Sequence, residues 1–95
     1  MMTNYEPWPI LMKGDEVINL KTAAYRANKS PKTIRNWCKA FGIGSQSFSG
    51  SPIEISAPGL EMVRRGDLIA LELLRDGKRN DPRVVRYFDH LGLPI

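Results

Sequence analysis

Apolar residues recur three and four positions apart in several stretches of the chain, and each stretch is bounded by residue types that start or stop a helix. Asn19 precedes Leu20, Ala23, Ala24 and Ala27, a capping residue followed by one apolar stripe, which predicts a helix over about 20–27. In Ala27-Asn28-Lys29 only Asn28 adopts a left-handed backbone at low cost, so a sharp turn is expected there. Ser30-Pro31 is the clearest helix start: serine accepts free first-turn amides, and proline at the first helical position forfeits no hydrogen bond. The helix it opens, Pro31 to Ala40, places Ile34, Trp37, Cys38 and Phe41 on one face and leaves Lys32, Arg35, Asn36 and Lys39 on another.

Gly42-Ile43-Gly44 ends that helix, and the alternation Ile53-Glu54-Ile55 predicts a short strand, with Ser49-Gly50-Ser51 as the hairpin turn before it. Ser56 caps a third helix with Pro58 in its first turn and with Leu60 and Val63 facing inward. The more hydrophobic run Leu68 to Leu74 either continues this helix past Gly66 or restarts at Asp67. Asn80-Asp81-Pro82 opens a last helix that carries Val84, Val85, Phe88 and Leu91 inward until Gly92 and Pro94. Residues 1–16 have no helical period and hold Pro7 and Pro9 around Trp8, which reads as an extended arm with Trp8 tucked onto the body.

Ninety-five residues make one compact unit, too small for two domains with an active site between them. One cysteine, Cys38, and one histidine, His90, exclude an intramolecular disulfide and a zinc site built from this chain's Cys and His alone. Cys38 lacks a neighbouring base, Gly42-x-Gly44 is too short for a nucleotide loop, and Asp15-Glu16 has no metal-site spacing. The expectation is therefore a protein that is not an enzyme and needs no cofactor or metal. No stretch approaches the roughly 20 apolar residues of a membrane span, so a soluble cytoplasmic protein is expected.

Charge sharpens the picture. No Asp or Glu lies between Glu16 and Glu54, whereas Lys21, Arg26, Lys29, Lys32, Arg35 and Lys39 do, so this block carries +6 while the whole chain carries +4. A cationic block bounded by near-neutral sequence is the footprint of a face that binds a polyanion, although a merely solvated face could also produce it.

Two short helices joined by a tight turn, the second basic and followed by a glycine-bounded hairpin, follow the order of a winged helix-turn-helix. Ala23-Ala24, then Ser30, Thr33, Ile34, Arg35 and Trp37, then Ile55 with Leu60 five residues later, resemble the excisionase-like branch of the MerR superfamily over about residues 18–65. The expected architecture is mainly α with a small β-hairpin wing: an arm at 1–16, a winged helix-turn-helix at 17–66, and a helical tail at 67–95 for packing or self-association. The resemblance implies a recognition helix at Pro31–Ala40 that lies in the major groove of double-stranded DNA, with the wing against the adjoining backbone or minor groove. It also implies a bacterial or phage-encoded, nucleoid-associated protein. Two departures from the family stand out. The wing has no Arg or Lys at its tip, and the tail from Asp67 is longer than the shortest members carry.

Residue chemistry fits that role. Arg35 can contact guanine or phosphate through its planar fork, Asn36 an adenine edge, and Lys32, Lys39 and Lys21 phosphates. Ser30 and Thr33 suit a phosphate oxygen near the helix N-terminus, and Gln46, Ser47 and Ser49 are the polar groups of the wing. Alternatively, Arg35 is an ion-pair partner of Glu61 or Asp67, and the lysines serve solubility. Trp37 and Phe41 read as core residues. The function expected is a recombination directionality factor that binds repeated sites cooperatively, self-associates on DNA, bends it and assists a cognate integrase. The alternatives are a small transcription regulator that binds an operator as a dimer, and a DNA-packaging or scaffold protein that partners a large ATPase.

Overall fold

A computed structural model describes residues 8–95. Among them are five α-helices and a small three-stranded antiparallel sheet. A 3-10 turn at Gly14–Glu16 leads into strand β1 (Val17–Ile18) and helix α1 (Leu20–Ala27). Helix α2 (Pro31–Phe41) follows, then a hairpin of β2 (Gly44–Ser45) and β3 (Glu54–Ser56), and then α3 (Ala57–Arg64), α4 (Leu68–Arg75) and α5 (Pro82–Leu91). Strand β3 is central: it pairs Val17 with Ser56 on one side and Gly44 with Ile55 on the other.

The helix starts follow local capping chemistry. The Asn19 carboxamide oxygen accepts from the Thr22 amide at 2.8 Å, and the Ser30 hydroxyl accepts from the Thr33 amide at 3.1 Å. Ser56, fully buried, caps α3 through the Gly59 amide at 3.0 Å, and Asp81 accepts from the Arg83 amide at the start of α5. Asn28 is the one non-glycine with positive φ among the described residues, at 55°, and its left-handed geometry turns α1 into α2. The apolar run after Gly66 is a separate helix capped by Asp67, whose carboxylate accepts from the Ala70 amide at 3.1 Å.

A single hydrophobic core runs from Ile10 through Ala23, Ile34, Ile43, Ile55, Leu60 and Met62 to Leu71, Leu74, Val84 and Phe88. Helix α3 lies at its centre and packs on α1, α4 and α5. The tail is therefore part of the same body, because Ala70, Leu71 and Leu74 of α4 and Val84, Tyr87 and Phe88 of α5 are buried. Two apolar residues of α4, Leu68 at 47 % and Ile69 at 62 % exposure, stay outside. Val85 and Leu91, expected inward, are half-buried, and Tyr87 takes the buried place beside Phe88.

Residues 1–7 of the expected arm lie outside the described residues, and its remainder, 8–16, differs from expectation in both directions. Trp8 does not tuck onto the body and is 80 % exposed, whereas Ile10 and Glu16 are buried. The Glu16 carboxylate pairs with Arg79 at 2.7 and 3.0 Å, and Arg79 also donates to the Leu11 carbonyl at 2.8 Å. Its guanidinium carbon lies 5.3 Å from the Phe88 ring centroid. The carboxylate takes the charge and the ring face covers the cation, so neither group is stranded in the interior. No helix of the described residues is long and apolar enough to cross a membrane.

Candidate nucleic-acid interface

Helix α2 carries the candidate site because its sequence divides it cleanly in two. Ile34 and Cys38 are buried, and Trp37 and Phe41 are half-buried against the core. Lys32, Arg35, Asn36 and Lys39 are all exposed, at the three- and four-residue spacing that aligns them along one outward stripe.

Both ends of the helix are held. At its start the Ser30 hydroxyl accepts from the Thr33 amide and lies 3.1 Å from the Thr33 hydroxyl, so these two side chains mainly serve the cap. At its end an Arg75 guanidinium nitrogen donates to the Phe41 carbonyl at 2.6 Å, while Nε contacts Glu72 at 3.1 Å. Arg75 also donates to the Trp8 carbonyl, and its side chain is only 5 % exposed. A cation against the free carbonyls of a helix C-terminus opposes the negative end of the helix dipole.

The hairpin is seated directly on α2. Gly42, at φ 67°, reverses the chain, and the Ile43 carbonyl accepts from the Ser56 amide at 2.8 Å. A Cβ on Gly44 would lie 2.6 Å from the Cys38 sulfur, so only glycine permits this approach. Burial pushes the Cys38 thiol up to about 11, with the Arg35 charge pulling the other way, and this places the group far from a nucleophilic thiolate at neutral pH.

Two open clefts lie between these elements. One of about 490 Å³ is lined by Arg35, Lys39, Ser45 and Gln46 among others. A second of about 290 Å³ is lined by Lys21, Arg35, Gln46 and Ser51. Arg35 and Gln46 border both, so the fold gathers Lys21, Arg35, Lys39 and Gln46 around the junction of α1, α2 and the hairpin. Lys32 and Asn36 continue the α2 stripe away from it, and Ser47 and Ser49 lie exposed on the hairpin loop and line neither cleft. The Gln46 amide nitrogen donates to the Ser51 carbonyl, which commits half of that side chain to closing the loop.

Ion pairing distinguishes the cations of α1 and α2 from most of the arginines that follow. The five ion pairs among the described residues all use arginines from position 64 onward: Arg64 and Arg65 with Glu61, Arg75 with Glu72, Arg79 with Glu16, and Arg83 with Asp67. Glu61 and Asp67 are thus engaged elsewhere, and Arg35 has no ion-pair partner among the described residues. The same holds for Lys21, Arg26, Lys29, Lys32 and Lys39. The other unpaired cations among the described residues are Lys13, Lys78 and Arg86, so most of the unpaired positive charge lies between Lys21 and Lys39.

Four contributors were missed in the sequence. Arg79 and Glu16 carry no local pattern, and Arg75 shows only its pairing with Glu72, since the other partners of these residues lie 34, 67, 68 or 63 positions away. Phe48, 76 % exposed on the hairpin loop, did have a signal: an aromatic residue among serines with no apolar neighbour to pack on. No protein-family model, curated protein or solved structure matches the chain.

Proposed function

We propose that the chain is a sequence-specific double-stranded DNA-binding protein of winged helix-turn-helix design, acting as an excisionase-like recombination directionality factor. The observation that carries this reading is the α2 stripe: Lys32, Arg35, Asn36 and Lys39 exposed in one row, with no ion pairs among the described residues. An α-helix with side chains is about 10–12 Å across, which matches the roughly 12 Å width of the B-DNA major groove. Arg35 contacts a guanine edge and the adjoining phosphate through its planar fork, Asn36 reads an adenine edge, Lys32, Lys39 and Lys21 meet phosphates, and the hairpin lies against the neighbouring groove. The expected resemblance to the excisionase-like branch of the MerR superfamily supports the same assignment.

In such a protein the work is architectural. Bending a short site costs about 1–6 kcal/mol, and contacts between neighbouring protomers offset that cost. Because most apolar side chains of α4 and α5 are used in the core, protomer contacts fall to the exposed Leu68 and Ile69. A cognate integrase then acts on the bent DNA. DNase footprinting over the DNA flanking the gene tests this: protection of direct repeats beside an attachment site is expected. A protected palindrome over a promoter would instead make the protein an operator-binding regulator, and absence of protection on any duplex would overturn DNA binding.

A further inference from the structure

We infer that Phe48 is an apolar wedge that enters the minor groove and partly unstacks one base step next to the segment occupied by α2; this rests on the DNA-binding reading above. Phe48 is 76 % exposed, on the loop that joins β2 to β3. It is the first residue of a tight turn closed by the Ser51 amide donating to the Phe48 carbonyl at 3.0 Å, with Gly50 at φ 87° in the third position. The Gln46 side chain bridges to the Ser51 carbonyl and braces the base of the loop. The ring is therefore presented from an internally bonded turn.

Its surroundings narrow the choice of ligand. From Gly42 to Ile53 the chain has no Lys or Arg, so this loop has no charge with which to grip phosphates. It offers one aromatic ring flanked by Ser45, Ser47, Ser49 and Ser51, side chains small enough for a groove about 6 Å wide and able to bond to its rim. Gln46 and Ser51 of the loop also border the cleft shared by Lys21 and Arg35, which sets the base of the loop beside the cationic face. Apolar side chains inserted between base steps from the minor groove kink a duplex by about 20–90°. A ring this exposed adds nothing to the core, and burial on binding removes it from water.

The test uses the footprinted duplex with 2-aminopurine at successive steps beside the protected segment, together with end-to-end energy transfer to measure the bend. The wild-type protein should raise 2-aminopurine fluorescence at one step and shorten the end-to-end distance. Phe48→Ala should abolish the fluorescence rise, reduce the bend by half or more and weaken binding about tenfold, with the α2 footprint retained. Phe48→Leu should restore part of both signals. An unchanged bend and fluorescence in Phe48→Ala, or wild-type binding with no unstacked step, overturns the wedge alone. Loss of DNA-free self-association in Phe48→Ala, with the bend per bound protomer unchanged, assigns the ring to a protein contact and also overturns it. A wild-type protein that protects no duplex overturns the DNA-binding reading and the wedge with it.

Discussion

Replacing Lys39 with alanine removes one of the four exposed cations assigned to phosphates, Lys21, Lys32, Arg35 and Lys39, which stand on α1 and α2 without ion-pair partners among the described residues. Each phosphate neutralised by a free cation contributes about −0.9 to the slope of log binding constant against log salt, so four such contacts give a slope of about −3.6. Between about 50 and 200 mM salt that slope amounts to a loss of roughly 150-fold in affinity. Lys39→Ala should flatten the slope to about −2.7, a loss of roughly 40-fold over the same range, equally on specific and random duplexes. Arg35→Ala should differ in kind: beyond the slope, it should cost about 1–3 kcal/mol on the specific site only, narrowing the gap to random DNA. Fluorescence anisotropy titrations of labelled duplexes at several salt concentrations provide the measurement. A wild-type slope near zero, or slopes unchanged in both variants, would refute the assignment of this face to DNA.

The remaining predictions concern what holds that face in place. Glu16→Gln leaves Arg79 without its buried counter-charge and should cost about 3–5 kcal/mol. At about 4–8 °C per kcal/mol for a domain this size, the calorimetric midpoint should fall by at least about 12 °C; a fall of only a few degrees would show that the pair contributes little. Gly44→Ala drives a methyl into the Cys38 sulfur and should cost about 1–3 kcal/mol in chemical denaturation, with partial recovery when combined with Cys38→Ala. No recovery would place the strain elsewhere. Burial acts to raise the pKa of Asp67, but hydrogen bonds from the Ala70 amide, the Tyr87 hydroxyl and Arg83, with the Arg83 charge, outweigh it and hold the carboxyl below its ordinary range. A lowered folded-state value means that its stabilisation is present above the unfolded-state value and is lost as pH falls through the folded one. Thermal melts of the wild type and Asp67→Asn should therefore converge in acid and separate toward neutrality, and parallel curves would refute this role.

Much of the fold was legible because its signals are short-range. Asn19, Ser30-Pro31, Ser56 and Asp81-Pro82 each start a helix through bonds to amides two or three residues away, and such bonds depend only on neighbours in sequence. The outward row of α2 is legible for a related reason, since helical periodicity fixes which residues share a face once Ile34 and Cys38 face inward. Strand β1 was not legible: two residues carry no alternation, and Val17 and Ile18 become a strand only by pairing with Ser56 and Ile55. Whether the run after Gly66 continued α3 or restarted was also open in the sequence, and the tertiary bonds of Asp67 to Tyr87 at 2.8 Å and to Arg83 at 3.0 Å accompany the restart.

The sequence alone determined where the helices begin, where the turns fall, and which cations stand in a row, because capping, backbone preference and the 3.6-residue period act within a few positions. Tertiary structure alone decided which charges stay free on that row. It paired Arg64, Arg65, Arg75, Arg79 and Arg83 with Glu16, Glu61, Asp67 and Glu72, seated the hairpin on Cys38 through Gly44, and left Phe48 outside while burying Ile10. Many of these outcomes join residues tens of positions apart, and their energies come from burial and Coulomb attraction, which depend on distance in space and not on distance along the chain.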